Sequence, residues 1–77
     1  MSGDNEEQWA ERAKRFFKAE LKRADVTYDD LADRLCKMGL CETKASIANK
    51  ISRGTFSAAF LLASLKAIGC HQLRLED

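Results

Sequence analysis

Seventy-seven residues with a net charge of +1, 45% hydrophobic and 32% charged, are expected to form a single globular domain rather than a disordered tail. A chain of this size buries only roughly 60% of its unfolded surface, and the complete lack of proline favours helices joined by short turns over a strand-rich fold. No apolar run approaches the roughly 20 residues that span a bilayer, and the acidic segment 1–11 lacks the basic-then-apolar order of a secretory leader.

The spacing predicts four helices, over about 5–25, 28–38, 44–53 and 57–68, followed by a tail over 70–77. The first starts after Asp4, which can cap free amides, while Glu6 and Glu7 suit the positive end of the helix dipole. Trp9, Ala13, Phe16, Phe17, Leu21 and Ala24 recur at helical spacing and form one apolar stripe, with Arg12, Arg15, Lys18 and Lys22 away from it. Glu20 falls on that stripe, where an unpaired carboxylate is costly. A paired, partly buried carboxylate is therefore expected, with Arg34 or Arg53 as its partner.

The second helix begins after Thr27, buries Leu31, Ala32, Leu35 and Met38, and stops at Gly39. A short turn over 40–42 leads to Thr43, which caps the third helix, and Gly54 ends it. Thr55 or Ser57 caps the fourth, which is apolar nearly all round through Phe56, Ala59, Phe60, Leu61, Leu62, Ala63, Leu65 and Ile68. Such a helix is either the centre of its domain or partly turned to a partner chain. The tail alternates around Leu73 and Leu75, as a short strand or a frayed end would.

The third helix carries the chemistry. On a wheel at about 100° per residue, Ile47 and Ile51 coincide and face inward. Ala45, Ser46, Asn49, Ser52 and Arg53 occupy the opposite side, flanked by Lys44 and Lys50. Small residues let such a face enter a major groove, where Asn pairs with adenine and Arg with guanine through two hydrogen bonds each. Thr43 and Ser46, beside the free amides of the first turn, suit phosphates. Thr43, Lys44, Ser46, Asn49, Lys50 and Arg53 are thus the candidate contacts to double-stranded DNA. Net charge does not oppose this, because segments 12–24 and 34–53 carry +5 and +4 against −4 in each of 1–11 and 25–33. The local field matters more than the total. A solvated helix face is the plainer alternative for these residues, and mere solubility for the basic side of the first helix.

Two resemblances bear on this reading. The run Tyr28-Asp29-Asp30-Leu31-Ala32, then Ile47, Ser52-Arg53-Gly54 and Leu65-Lys66-Ala67-Ile68-Gly69, resembles the phage-repressor (Cro/C1-type) helix-turn-helix pattern. This implies an all-α, lambda-repressor-like fold with the third helix as reader. The interval of sixteen residues from Leu31 to Ile47 is longer than that pattern allows, so the second helix or the turn after it must be extended. More closely, the chain is similar to a small family of bacterial proteins of unknown function. The likeness rests on Trp9, then Phe16, Lys18, Glu20, Leu21 and Arg23, Tyr28 with Leu31-Ala32, Ile47-x-Asn49-Lys50-Ile51-x-Arg53-Gly54-x-Phe56, and Ala67-Ile68-Gly69.

Other chemistries lack their residues. Three cysteines without framework spacing lead to the expectation of reduced thiols in a cytoplasmic setting. A Cys3His zinc site from Cys36, Cys41, Cys70 and His71 would need closer pairing, and Cys36 and Cys70 fall where apolar residues belong. With one histidine, no phosphate loop and no nucleophile motif, neither an enzyme nor a cofactor or small-molecule site is expected. The sequence therefore points to a DNA-binding transcriptional regulator acting as a dimer on paired half-sites. The rival is a protein-interaction or homodimerisation module that uses the fourth helix and the tail.

Overall fold

The computed structural model describes residues 5–73, and these are all-helical, with no strand among them. Four helices follow in order: α1 (Asn5–Ala24), α2 (Tyr28–Lys37), α3 (Lys44–Arg53) and α4 (Ala58–Ala67). The Asp4 cap and the tail around Leu75 lie outside the described residues.

Local chemistry fixes the helix starts. Thr27, Thr43 and Ser57 sit in extended backbone, and their hydroxyl oxygens accept from the amides of Asp30 (3.1 Å), Ser46 (3.0 Å) and Phe60 (3.0 Å). Each such cap contributes about 1 kcal/mol. Of the two caps proposed for α4, Ser57 takes the role.

The helix ends share one device. After α1, α2 and α4 the chain takes a left-handed residue (Asp25, Gly39, Gly69), and the next amide reaches the carbonyl five residues back: Val26 to Leu21, Leu40 to Leu35, Cys70 to Leu65. The end of α3 differs. Gly54 is buried and left-handed, and a methyl placed there would lie 2.3 Å from the Ala10 carbonyl oxygen of α1. Backbone presses on backbone at that point.

Phe17 and Leu21 of α1, Val26 from the connection after it, Leu31 and Leu35 of α2, Ile47 and Ile51 of α3, Phe60 and Leu65 of α4, and its C-cap Ile68 form one core. Burying each of the larger aliphatic side chains contributes roughly 1.5–3 kcal/mol. α3 packs on both α1 and α2, and α2 also packs on α4. Phe17, Phe56 and Phe60 close the remaining side as a ring trio with centroids 5.2–5.8 Å apart, Phe17 meeting Phe56 edge-on. Arg34 Nη1 donates to the Ala67 carbonyl (3.0 Å) and ties α2 to the end of α4.

Several expectations need correction. Trp9 is 56% exposed rather than part of the stripe. At 20 residues α1 is about 30 Å long, twice the length of its neighbours, so its first turns overhang the core. Met38, expected inside, is exposed because it forms the C-cap of α2 and lies past its last buried turn. Glu20 is partly buried as expected, its side chain 13% exposed, but its partner is Arg23 one turn on rather than Arg34 or Arg53. Arg34 is committed to Ala67, and Arg53 projects elsewhere.

The cysteines are not all free thiols: Cys36 and Cys41 are disulfide-bonded, and only Cys70 is free. The reversal at Gly39 folds the chain back on the last turn of α2 and brings residues five apart together. Cys36 is also exposed, not apolar filling, whereas Cys70 packs half-buried against the core. No group of three His, Cys, Asp or Glu side chains gathers among the described residues. No helix among them is long and apolar enough to cross a membrane.

Candidate nucleic-acid interface

The outward face of α3 is set by its inward one. Ile47 and Ile51 are fully buried, which turns Asn49, Ser52 and Arg53 to solvent. The extra chain length between Leu31 and Ile47 lies in the six-residue connection 38–43, not in α2, which has ten residues. The disulfide and the Gly39 reversal fold part of that connection against α2.

Ser46, Asn49, Lys50 and Arg53, with Thr55, Phe56 and Ser57 from the turn before α4, line a shallow depression of about 330 Å³. Four of the six candidate residues therefore share one surface. Thr43 and Lys44 stand at the N-terminal end of α3, outside that depression. Lys44 Nζ lies 3.6 Å from Asp29, in the first turn of α2, with both side chains largely exposed. A pair of that kind is weak and salt-screened.

Lys50 is held more firmly. Its ammonium donates to Glu42 Oε2 at 2.8 Å and lies 5.0 Å from the Phe60 ring centroid, while Ser46 Oγ donates to Glu42 Oε1 at 2.8 Å. Both carboxylate oxygens are thereby engaged. The Lys50 hydrogen bond, helped by that of Ser46, holds the Glu42 carboxyl below the usual glutamate range against a smaller opposing effect of burial. Thr43 is likewise occupied, its hydroxyl oxygen accepting from the Ser46 amide.

Asn49 and Arg53 are different. Neither side chain makes a hydrogen bond or ion pair to another described residue, and both are exposed. Four residues apart, they are separated by about 6 Å along the helix, close to two base-pair steps. Of the three cations of α3, only Arg53 has no carboxylate partner among the described residues.

Glu42 is the residue that sequence reasoning passed over. Its signal was present: Glu42, Ser46 and Lys50 recur every fourth position, and Glu42 is the one acid within the basic segment 34–53. Ser46 and Lys50 stand one above the other on α3, and Glu42, two residues before the helix, continues that line from the connection.

A family model described as a domain of unknown function, DUF6471, matches residues 9–73. The chain belongs to the DUF6471 family. The match runs from Trp9 through all four helices to Leu73, so the α3 face and its Glu42 clamp lie inside the DUF6471 domain. No curated protein and no solved structure matches the chain.

Proposed function

We propose that this DUF6471 domain is a DNA-binding unit of the lambda-repressor-like, helix-turn-helix kind, and that α3 enters the major groove. The observation that carries the reading is the pairing of two fully buried isoleucines with an exposed, unpartnered Asn49 and Arg53 on the other side of the same helix. An amide and a guanidinium in that state keep their full hydrogen-bonding capacity for base edges. The ion pair between Lys44 and Asp29 brings the first turns of α2 and α3 to one surface, where amides and caps can address phosphates. A single small module buries little area on DNA, which favours a dimer reading two half-sites, as a transcriptional regulator does.

A mobility shift on random-sequence duplex tests this. Binding is expected at low salt, weakening steeply as salt rises. On a duplex selected by the wild type from a random-sequence pool, the Asn49→Ala/Arg53→Ala variant, still folded, is expected to lose roughly tenfold or more in affinity, at about 1–3 kcal/mol per bidentate contact. An unchanged affinity in that variant defeats the proposal.

One observation favours a second reading, that of a protein-interaction or self-association module. Leu62 is 62% exposed on α4 and lines a second depression with the exposed Leu73 and half-buried Cys70. A mass that rises with concentration, together with no DNA binding at low salt, selects it.

A further inference from the structure

Of the contacts around α3, those of Glu42 are the strongest, and they remove a cation from the surface that DNA would meet. We infer that Glu42 is a specificity-determining residue of the α3 face: by seating the Lys50 ammonium and the Ser46 hydroxyl on its two carboxylate oxygens, it withholds them from phosphates and leaves recognition to Asn49 and Arg53. The inference rests on the DNA-binding reading of the same surface.

Three observations carry it. The Lys50–Glu42 contact is short, at 2.8 Å, and its side chains are only 38% and 22% exposed. The Phe60 ring lies against the ammonium from another side. The Ser46 hydroxyl fixes the second carboxylate oxygen, so Glu42 does not swing away without breaking two charge-assisted hydrogen bonds. A lysine free to reach a phosphate adds affinity for every sequence alike and so erodes discrimination. A lysine already neutralised adds none. The Asp29–Lys44 pair, longer and more exposed, withholds its lysine far less.

The test is a binding titration of the full chain on a random-sequence DNA duplex at about 50 and 200 mM salt. Glu42→Gln is expected to bind the duplex more tightly at low salt. Its loss of affinity between the two salt concentrations should exceed that of the wild type by about threefold, the increment for one added phosphate contact. Asp29→Asn moves that ratio by less than half as much. Adding Lys50→Gln to Glu42→Gln returns both affinity and ratio to those of the wild type, because the two neutral side chains carry the same net charge as the clamped pair. A gain that survives in the double variant reflects the missing negative charge rather than a released lysine, and overturns the inference.

Thermal melts run alongside. Should Glu42→Gln lose its fold, the double variant decides, since it removes both charges of the pair together: an affinity and salt ratio equal to those of the wild type support the clamp, and a drop in both overturns it. Wild-type binding with no difference in Glu42→Gln defeats this inference alone. No binding by any of these proteins defeats the DNA reading and this inference with it.

Discussion

α3 and α4 are both ten residues long, both start at a hydroxyl cap, and yet they meet the rest of the protein in opposite ways. α3 buries two isoleucines and turns a polar side outward. α4 has apolar residues on every side, buries Phe60 and Leu65, and also encloses Ser64 while leaving Leu62 exposed. Placement therefore matters more than amount. A helix with little apolar surface can be oriented sharply when that surface forms one stripe, whereas a uniformly apolar helix is held in the interior without presenting any defined chemistry.

The largest expected effect comes from the helix ends. Gly54 and Gly69 both take left-handed backbone, but only Gly54 abuts the Ala10 carbonyl, while space around Gly69 is open. Gly69→Ala is expected to cost about 1–2 kcal/mol of backbone strain. Gly54→Ala adds the clash and should exceed it by at least about 2 kcal/mol, lowering Tm by roughly 10 °C more. Equal melting temperatures would mean that α3 is not pinned against α1. Next comes the interior of α4. The Ser64 hydroxyl is fully buried with no hydrogen-bond partner, so Ser64→Ala is expected to stabilise by about 1 kcal/mol, a rise of roughly 4–8 °C in Tm. A fall would show that the hydroxyl is satisfied within the helix.

The smallest effect sharpens the view of α3. Because the Glu42 carboxyl is held low by Lys50 and Ser46, its contribution to stability is fully present above the ordinary glutamate value of about 4.3. It is lost as pH falls below that value through the lowered one of the folded state. Comparing wild type with Glu42→Gln by thermal melts, the wild-type advantage at neutral pH should shrink toward zero below about pH 4. A difference that holds constant with pH would mean that the carboxylate contributes no charge-dependent stability.

What the sequence made legible is what is decided locally. Thr27 and Thr43 announce themselves because a cap depends on four successive residues, the α4 cap narrows to Thr55 or Ser57 for the same reason, and Ile47 and Ile51 show because a period of 3.6 leaves one inward side. Helix-turn-helix geometry, DNA contact and dimerisation remain proposals, since each concerns partners or angles that periodicity does not encode. The misjudged residues depend on contacts between elements or on chain ends. Trp9 belongs to the stripe by spacing but stands in solvent just before Ala10, where the end of α3 meets α1. Glu20 met the nearest arginine, Arg23, because Arg34 is drawn across to α4. The Cys36–Cys41 bond follows from a reversal whose tightness is a property of the fold, not of cysteine spacing.

The overhang of α1 has a practical consequence for spectroscopy. Trp9 is the protein's one tryptophan, it stands in solvent, and the Arg12 guanidinium lies 4.6 Å from its ring centroid. Its emission should already be red-shifted in the native state and change little on denaturation, making fluorescence a poor gauge of global unfolding. The same placement makes it a sensitive beacon for anything that settles along the first turns of α1, where a blue shift would report docking without any attached label.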